Sequence, residues 1–121
     1  MPAKDVHLLK AERNEGFALS LPLDWQPRID WALIALFYSA MHYVEAYFAN
    51  RNTHIRSHTA RDNAIGRDPN LRKIFAEYQD LKFYGYNARY EPPQFTAEDV
   101  IVGALPQFNI VKAHISTLLR S

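Results

Sequence analysis

The chain has 121 residues, 48% of them hydrophobic, and a formal net charge of +1. That is the size of one ordinary domain able to bury a core, and so small a net charge does not by itself direct the chain to nucleic acid. With no cysteine present, disulfide frameworks and thiolate metal sites are excluded, which is compatible with a reducing cytoplasm, the expected location.

In chain order, the opening residues MPAKDVHLLKAERNEG carry charges throughout and no apolar h-region, so no signal peptide is expected. A first helix is expected over about residues 3–19, with Val6, Leu9, Arg13 and Phe17 on one side and Leu8 flanking them. Pro22 and Pro27 in LPLDWQP break it. A second helix runs from about Pro27 to Asn50 and is apolar almost all round, the mark of a central element wrapped by others. Its stretch from Trp31 to Phe48 holds Ser39, His42 and Glu45, and a central glutamate is costly in lipid, so a buried bundle helix is expected and no membrane span.

SHTARDNAIG follows as a short extra turn of helix, capped by Ser57 and stopped by Gly66. Asp68-Pro69 reads as the N-cap and first position of a third main helix, with Leu71, Ile74, Phe75, Tyr78 and Leu81 as its core stripe and an end near Tyr90. Thr96-Ala97-Glu98-Asp99 opens the last helix in a capping-box arrangement. Ile101, Leu105, Phe108, Ile115 and Leu119 follow at helical spacing, and Pro106 should kink that helix near residues 103–106. No repeat or linker divides the chain, so residues 1–121 read as a single domain. The expected architecture is all-α, an up-and-down four-helix bundle with a short extra helical turn and a kinked last helix.

Two features carry chemistry. On an ideal wheel with Tyr38 at zero, His42 falls near about +40°, Glu45 near about −20° and Asn52 near about −40°, so these polar groups share one face. His42 and Glu45 are three apart and can touch. Either they form a buried imidazole satisfied by a carboxylate, or Tyr38, His42 and Glu45 line a polar groove facing a ligand or second subunit. The second feature is the segment Arg51–Lys73, with six basic residues against two acidic, an excess of +4 in a nearly neutral chain. His54 and His58 lie inside it, four apart, but local geometry fixes no third ligand, so no metal and no other cofactor is expected. There is no nucleophile elbow, and Gly16, Gly66, Gly85 and Gly103 are too scattered for a phosphate loop. Tyr84, Tyr86, Arg89 and Tyr90 form an aromatic and arginine cluster that can stack on bases and pair with phosphate. The same residues can equally anchor a helix end, with Arg89 paired to Glu91 or Glu45.

FYSAMHYVEAYF on the long second helix, then a short loop, then Ser57-His58 with Arg61, is similar to the HEPN family. YQDLKFYGYNARY at residues 78–90 and the last amphipathic helix, Thr96 to Leu119, extend the resemblance over about residues 6–119. It implies a four- or five-helix bundle, often a homodimer, that binds nucleotide or RNA. Many members are metal-independent ribonucleases of toxin–antitoxin, abortive-infection or CRISPR-linked systems. Their signature is an arginine, a following polar residue, and a histidine after four to six residues; Arg51-Asn52 and His58, with six residues between Arg51 and His58, fit that count. The resemblance implies that His58 exchanges a proton with the ribose 2′-hydroxyl or leaving oxygen while Arg51 holds charge on phosphorus. Asn52, His54, Arg56, Arg61, Arg89 and Tyr90 would then form the nucleotide- or RNA-binding surface. The placement departs from the catalytic members, whose signature lies together on a later helix. The alternative is a non-catalytic interaction module partnering a nucleotidyltransferase, an antitoxin or another defence component.

Overall fold

The computed structural model describes residues 3–120, in which there are five α-helices and no strand. These are α1 (Lys4–Ser20), α2 (Gln26–Ala49), α3 (His58–Arg67), α4 (Phe75–Tyr90) and α5 (Leu105–Arg120). A 3-10 turn, Arg72–Ile74, leads into α4, and a π-helical segment, Asp99–Ala104, leads into α5.

Helix α2 is the axis of the molecule. Pro27 in its first turn is preset for helical φ and gives up only an N–H that has no partner there. Its end is marked by Asn52 at φ 56°, a left-handed conformation that asparagine tolerates better than most residues. Helices α1, α4 and α5 all pack on α2, which buries Leu33, Leu36, Phe37, Val44 and Tyr47 among them. No helix among the described residues is long and apolar enough to cross a membrane.

Helix α1 turns a different face inward from the one its apolar residues suggest. Val6, Leu9 and Phe17 are exposed, and His7, Ala11 and Ala18 are buried instead. The reason is close approach: Ala11 lets α1 come near enough for the Ser39 hydroxyl on α2 to donate to the Ala11 carbonyl at 2.6 Å. Glu15 adds a polar tie on the same side, accepting from the Tyr43 hydroxyl at 3.3 Å and from Lys112 Nζ on α5 at 2.8 Å.

The expected short turn after Ser57 is a full ten-residue helix. Ser57 caps it as anticipated, its Oγ accepting from the Ala60 N–H at 3.0 Å. Gly66 does not stop it, because no glycine in the described residues has a positive φ. The stop comes at Asp68, which is extended as the residue before a proline prefers. Asp68 and Pro69 do not open the third main helix as expected: α4 begins six residues later at Phe75, and Asp68 caps only the intervening turn, its Oδ1 accepting from the Asn70 N–H at 2.7 Å. Leu71, Ile74, Tyr78 and Leu81 are buried in line with the expected stripe, while Phe75 lies at the surface.

Thr96 and Asp99 cap each other reciprocally: the Thr96 N–H donates to Asp99 Oδ2 at 2.8 Å, and the Asp99 N–H to Thr96 Oγ1 at 3.3 Å. The irregularity expected at Pro106 takes the form of the π-helical segment just before α5. Widening that turn rotates the following face, so Val100, Ala104, Phe108, Val111 and Ile115 point inward and Ile101 points out.

Candidate functional site

Glu45 on α2 and Arg61 on α3 are each only 6% exposed and form the polar heart of the molecule. Arg61 Nε donates to Glu45 Oε1 at 2.7 Å, and its Nη2 reaches the same oxygen at 2.5 Å. A charge this deep is tolerated only when paired, and this pair ties α3 to α2. The third guanidinium nitrogen, Nη1, lies 3.1 Å from His58 Nδ1. The His58 ring in turn sits on Phe37 with centroids 5.9 Å apart. Burial, then Arg61 and Lys82, hold the His58 imidazole below its ordinary pKa, against a smaller opposing pull from Asp62. Tyr78 is buried in the same neighbourhood, its ring 5.8 Å from Phe37, and burial pushes its phenol up.

Beside His58 a cleft of about 140 Å³ opens between α2, α3 and α4. Its walls are aromatic, from Phe37, Tyr38, Tyr86 and Tyr90, and its polar groups are His58, Lys82 and Arg89; no carboxylate lines it. The Arg89 guanidinium lies 5.7 Å from the Tyr38 ring centroid and 5.1 Å from that of Tyr90. It also donates to the Tyr38 hydroxyl, so its partner is neither Glu91 nor Glu45. The Tyr86 and Tyr90 rings stand 4.9 Å apart. Lys82 Nζ is tied to Asp62 Oδ2 at 2.5 Å on the cleft lip. Flat apolar walls with cationic donors suit a planar, anionic ligand.

Of the residues nominated from the sequence, Tyr38, His58, Arg89 and Tyr90 converge on this cleft, and Glu45 and Arg61 are linked to it through His58. Arg51 does not join them. Its guanidinium lies 4.4 Å over the Tyr47 ring, and the Tyr47 hydroxyl donates to Asp68 Oδ2 at 2.9 Å. Tyr47 is ten residues beyond Phe37 on α2, roughly 15 Å along the helix axis, so Arg51 and His58 have separate surroundings. Asn52 is exposed at the helix end. His54 and Arg56 line a second hollow, of about 270 Å³, together with His7, His42, Glu45 and Arg61.

In that hollow His42 meets His7 rather than Glu45. The two Nδ1 atoms are 3.1 Å apart and the ring centroids 5.4 Å. The polar stripe of α2 is thus divided between two neighbours: α1 supplies a partner for His42, and α3 supplies one for Glu45. Among the described residues no group of three or more His, Asp, Glu or Cys is placed to hold a metal ion.

Sequence reasoning passed over Lys82, Phe37 and His7, while Tyr86 was already part of the aromatic and arginine cluster. A signal for Lys82 existed, since positions 82, 86 and 89 share a helical face with Gly85 and Tyr90. His7 had none, because its meaning depends on which face α1 turns inward.

No protein-family model, curated protein or solved structure matches this chain.

The paired histidines make a prediction. Burial lowers His7 below its ordinary value and lowers His42 to about 4, with His7 itself the next contributor at His42. A histidine whose folded pKa lies below its unfolded value of about 6.5 resists protonation only while folded. Its stabilising effect is therefore complete above about pH 6.5 and is lost as pH falls towards 4. Urea midpoints are expected to drop between pH 7 and pH 5, above the range where most carboxylates protonate. A His42→Gln variant should show a smaller drop, and equal drops in the two proteins would refute the assignment.

Proposed function

We propose that the chain is a HEPN-like nucleotide- or RNA-binding protein, acting in the cytoplasm as a homodimer in a defence or toxin–antitoxin setting. On this reading α1, α2, α4 and α5 are the four bundle helices and α3 is the addition that completes the site. The observation that carries it is the cleft itself, where Arg89 and His58 stand among aromatic walls and Lys82 lies beside them, paired with Asp62. Bases stack on such rings, and cations at their edge take phosphate. The separate surroundings of Arg51 and His58 favour binding without cleavage.

Anisotropy titration with a single-stranded RNA oligonucleotide tests it. Affinity should fall with salt, and Arg89→Ala should weaken binding by about tenfold and reduce the salt slope by about 0.7. Salt-insensitive binding, or none in low salt, would sink the reading. RNA incubated in chelator should stay intact; cleavage abolished by His58→Ala would instead establish a metal-independent ribonuclease.

The second reading, a non-catalytic module partnering a nucleotidyltransferase, an antitoxin or another defence component, is favoured by one observation. Val6, Leu9 and Phe17 form an exposed apolar stripe on α1, and such stripes commonly mark protein contacts.

A further inference from the structure

The chain Glu45–Arg61–His58 has a chemical consequence beyond holding α3 in place. A guanidinium has only donors, so in the contact between Arg61 Nη1 and His58 Nδ1, at 3.1 Å, the imidazole nitrogen must accept. An accepting Nδ1 carries no proton, and the proton of the neutral ring then resides on Nε2. Arg61 cannot easily turn away to release it. Its Nε and Nη2 are both held by Glu45 Oε1, and both residues are buried. Two buried groups therefore govern one group in the cleft wall.

We infer that Glu45 and Arg61 are positioning residues that lock His58 in its Nε2–H tautomer, making it a hydrogen-bond donor to an acceptor-bearing anion in the cleft. The histidine is not arranged to take a proton from a ligand, because its one basic nitrogen faces Arg61. His58 stands on the cleft wall with Arg89, which also donates to the Tyr38 hydroxyl, and Lys82, which is also paired with Asp62; the further N–H groups of these cations and the His58 Nε2–H match the several acceptor oxygens of a terminal phosphate. The ligand class follows: a nucleoside monophosphate or the phosphate-bearing end of a strand, its base against Tyr86 and Tyr90. The ligand part rests on the nucleotide reading of the cleft, whereas the tautomer does not.

The two parts are separated by experiment. Nitrogen-15 NMR of the histidine side chains in the free protein at pH 7.5 reads the tautomer directly and needs no variant. His58 should show a protonated Nε2 and an unprotonated Nδ1. An Nδ1–H ring, or a fast mixture of tautomers, would overturn the positioning role whatever the cleft binds. In Arg61→Lys the single ammonium cannot hold Glu45 and His58 together, so the tautomers should become mixed.

Adenosine 5′-monophosphate and adenosine then probe the ligand. The monophosphate should bind at least about tenfold more tightly. His58→Ala should remove about that factor, and His58→Gln, which keeps an N–H donor near the Nε2 position, should restore most of it. Equal loss in the two variants would overturn the donor role. Locked Nε2–H with no binding of either compound would overturn the nucleotide reading and uphold the positioning role.

Discussion

Replacing Arg61 with methionine is expected to lower stability by about 3–5 kcal/mol, because the Glu45 carboxylate would remain buried with no counter-charge. Both side chains are nearly shut off from solvent, each residue being 6% exposed. A double variant, Glu45→Met with Arg61→Met, should recover most of the loss, since a buried ion pair replaced by apolar groups of similar volume is often neutral or better. Urea unfolding followed by circular dichroism measures both. A single-variant loss below about 1 kcal/mol would show that the pair is wetter than its surroundings indicate. The double variant has a second use. If it folds well yet no longer orders the His58 ring, stability and positioning are separable roles of the same two residues.

Gly85→Ala is the second large effect, and its sign depends on packing rather than on helix propensity. A Cβ built on Gly85 would lie 2.8 Å from Phe37 Cβ and 3.1 Å from its Cγ and Cδ2. Phe37 Cβ is tethered to the α2 backbone, so the two helices must separate. Alanine gains up to about 1 kcal/mol in a helix, but overpacking of this kind costs about 1–3 kcal/mol, leaving a net loss of up to about 2 kcal/mol. Gly16→Ala should do the opposite, because nothing lies within 4 Å of its would-be Cβ; a gain of about 0.5–1 kcal/mol is expected there. Gly103→Ala falls between them, since its Cβ would meet the hydroxyl end of Tyr84, which can swing aside. Thermal or urea unfolding of the three variants should rank them in that order. Gly85→Ala found as stable as Gly16→Ala would refute the close approach of α2 and α4. Gly85 also lines the cleft, so the same substitution should disturb ligand binding while Gly16→Ala leaves it unchanged.

Much of the fold was legible because it is written in local chemistry. Pro22 and Pro27 bracket the first break, Ser57 caps α3, and Thr96 with Asp99 caps the approach to α5. Each works within a few residues and needs no partner from elsewhere. The errors of reading arise where two elements meet. The apolar stripe of Val6, Leu9 and Phe17 looked like the inner face of α1, but helix packing selects the face that lets backbones come close. Ala11 does that against Ser39. Gly66 looked like a stop signal, but a glycine ends a helix only if it turns left-handed, and this one does not.

The candidate site divides along the same line. That Tyr38, His42 and Glu45 share one side of α2 follows from helical period alone, and so does the face joining Lys82 to Arg89. The sequence by itself determined an all-helical chain, its main breaks and caps, and the central place of α2, since these depend on periodicity and short-range hydrogen bonds. Only the tertiary structure decided that Glu45 belongs to Arg61, His42 to His7 and Arg89 to Tyr38. Those choices are made between helices far apart in the chain. A buried charge takes whichever partner the packing of the apolar faces brings within reach.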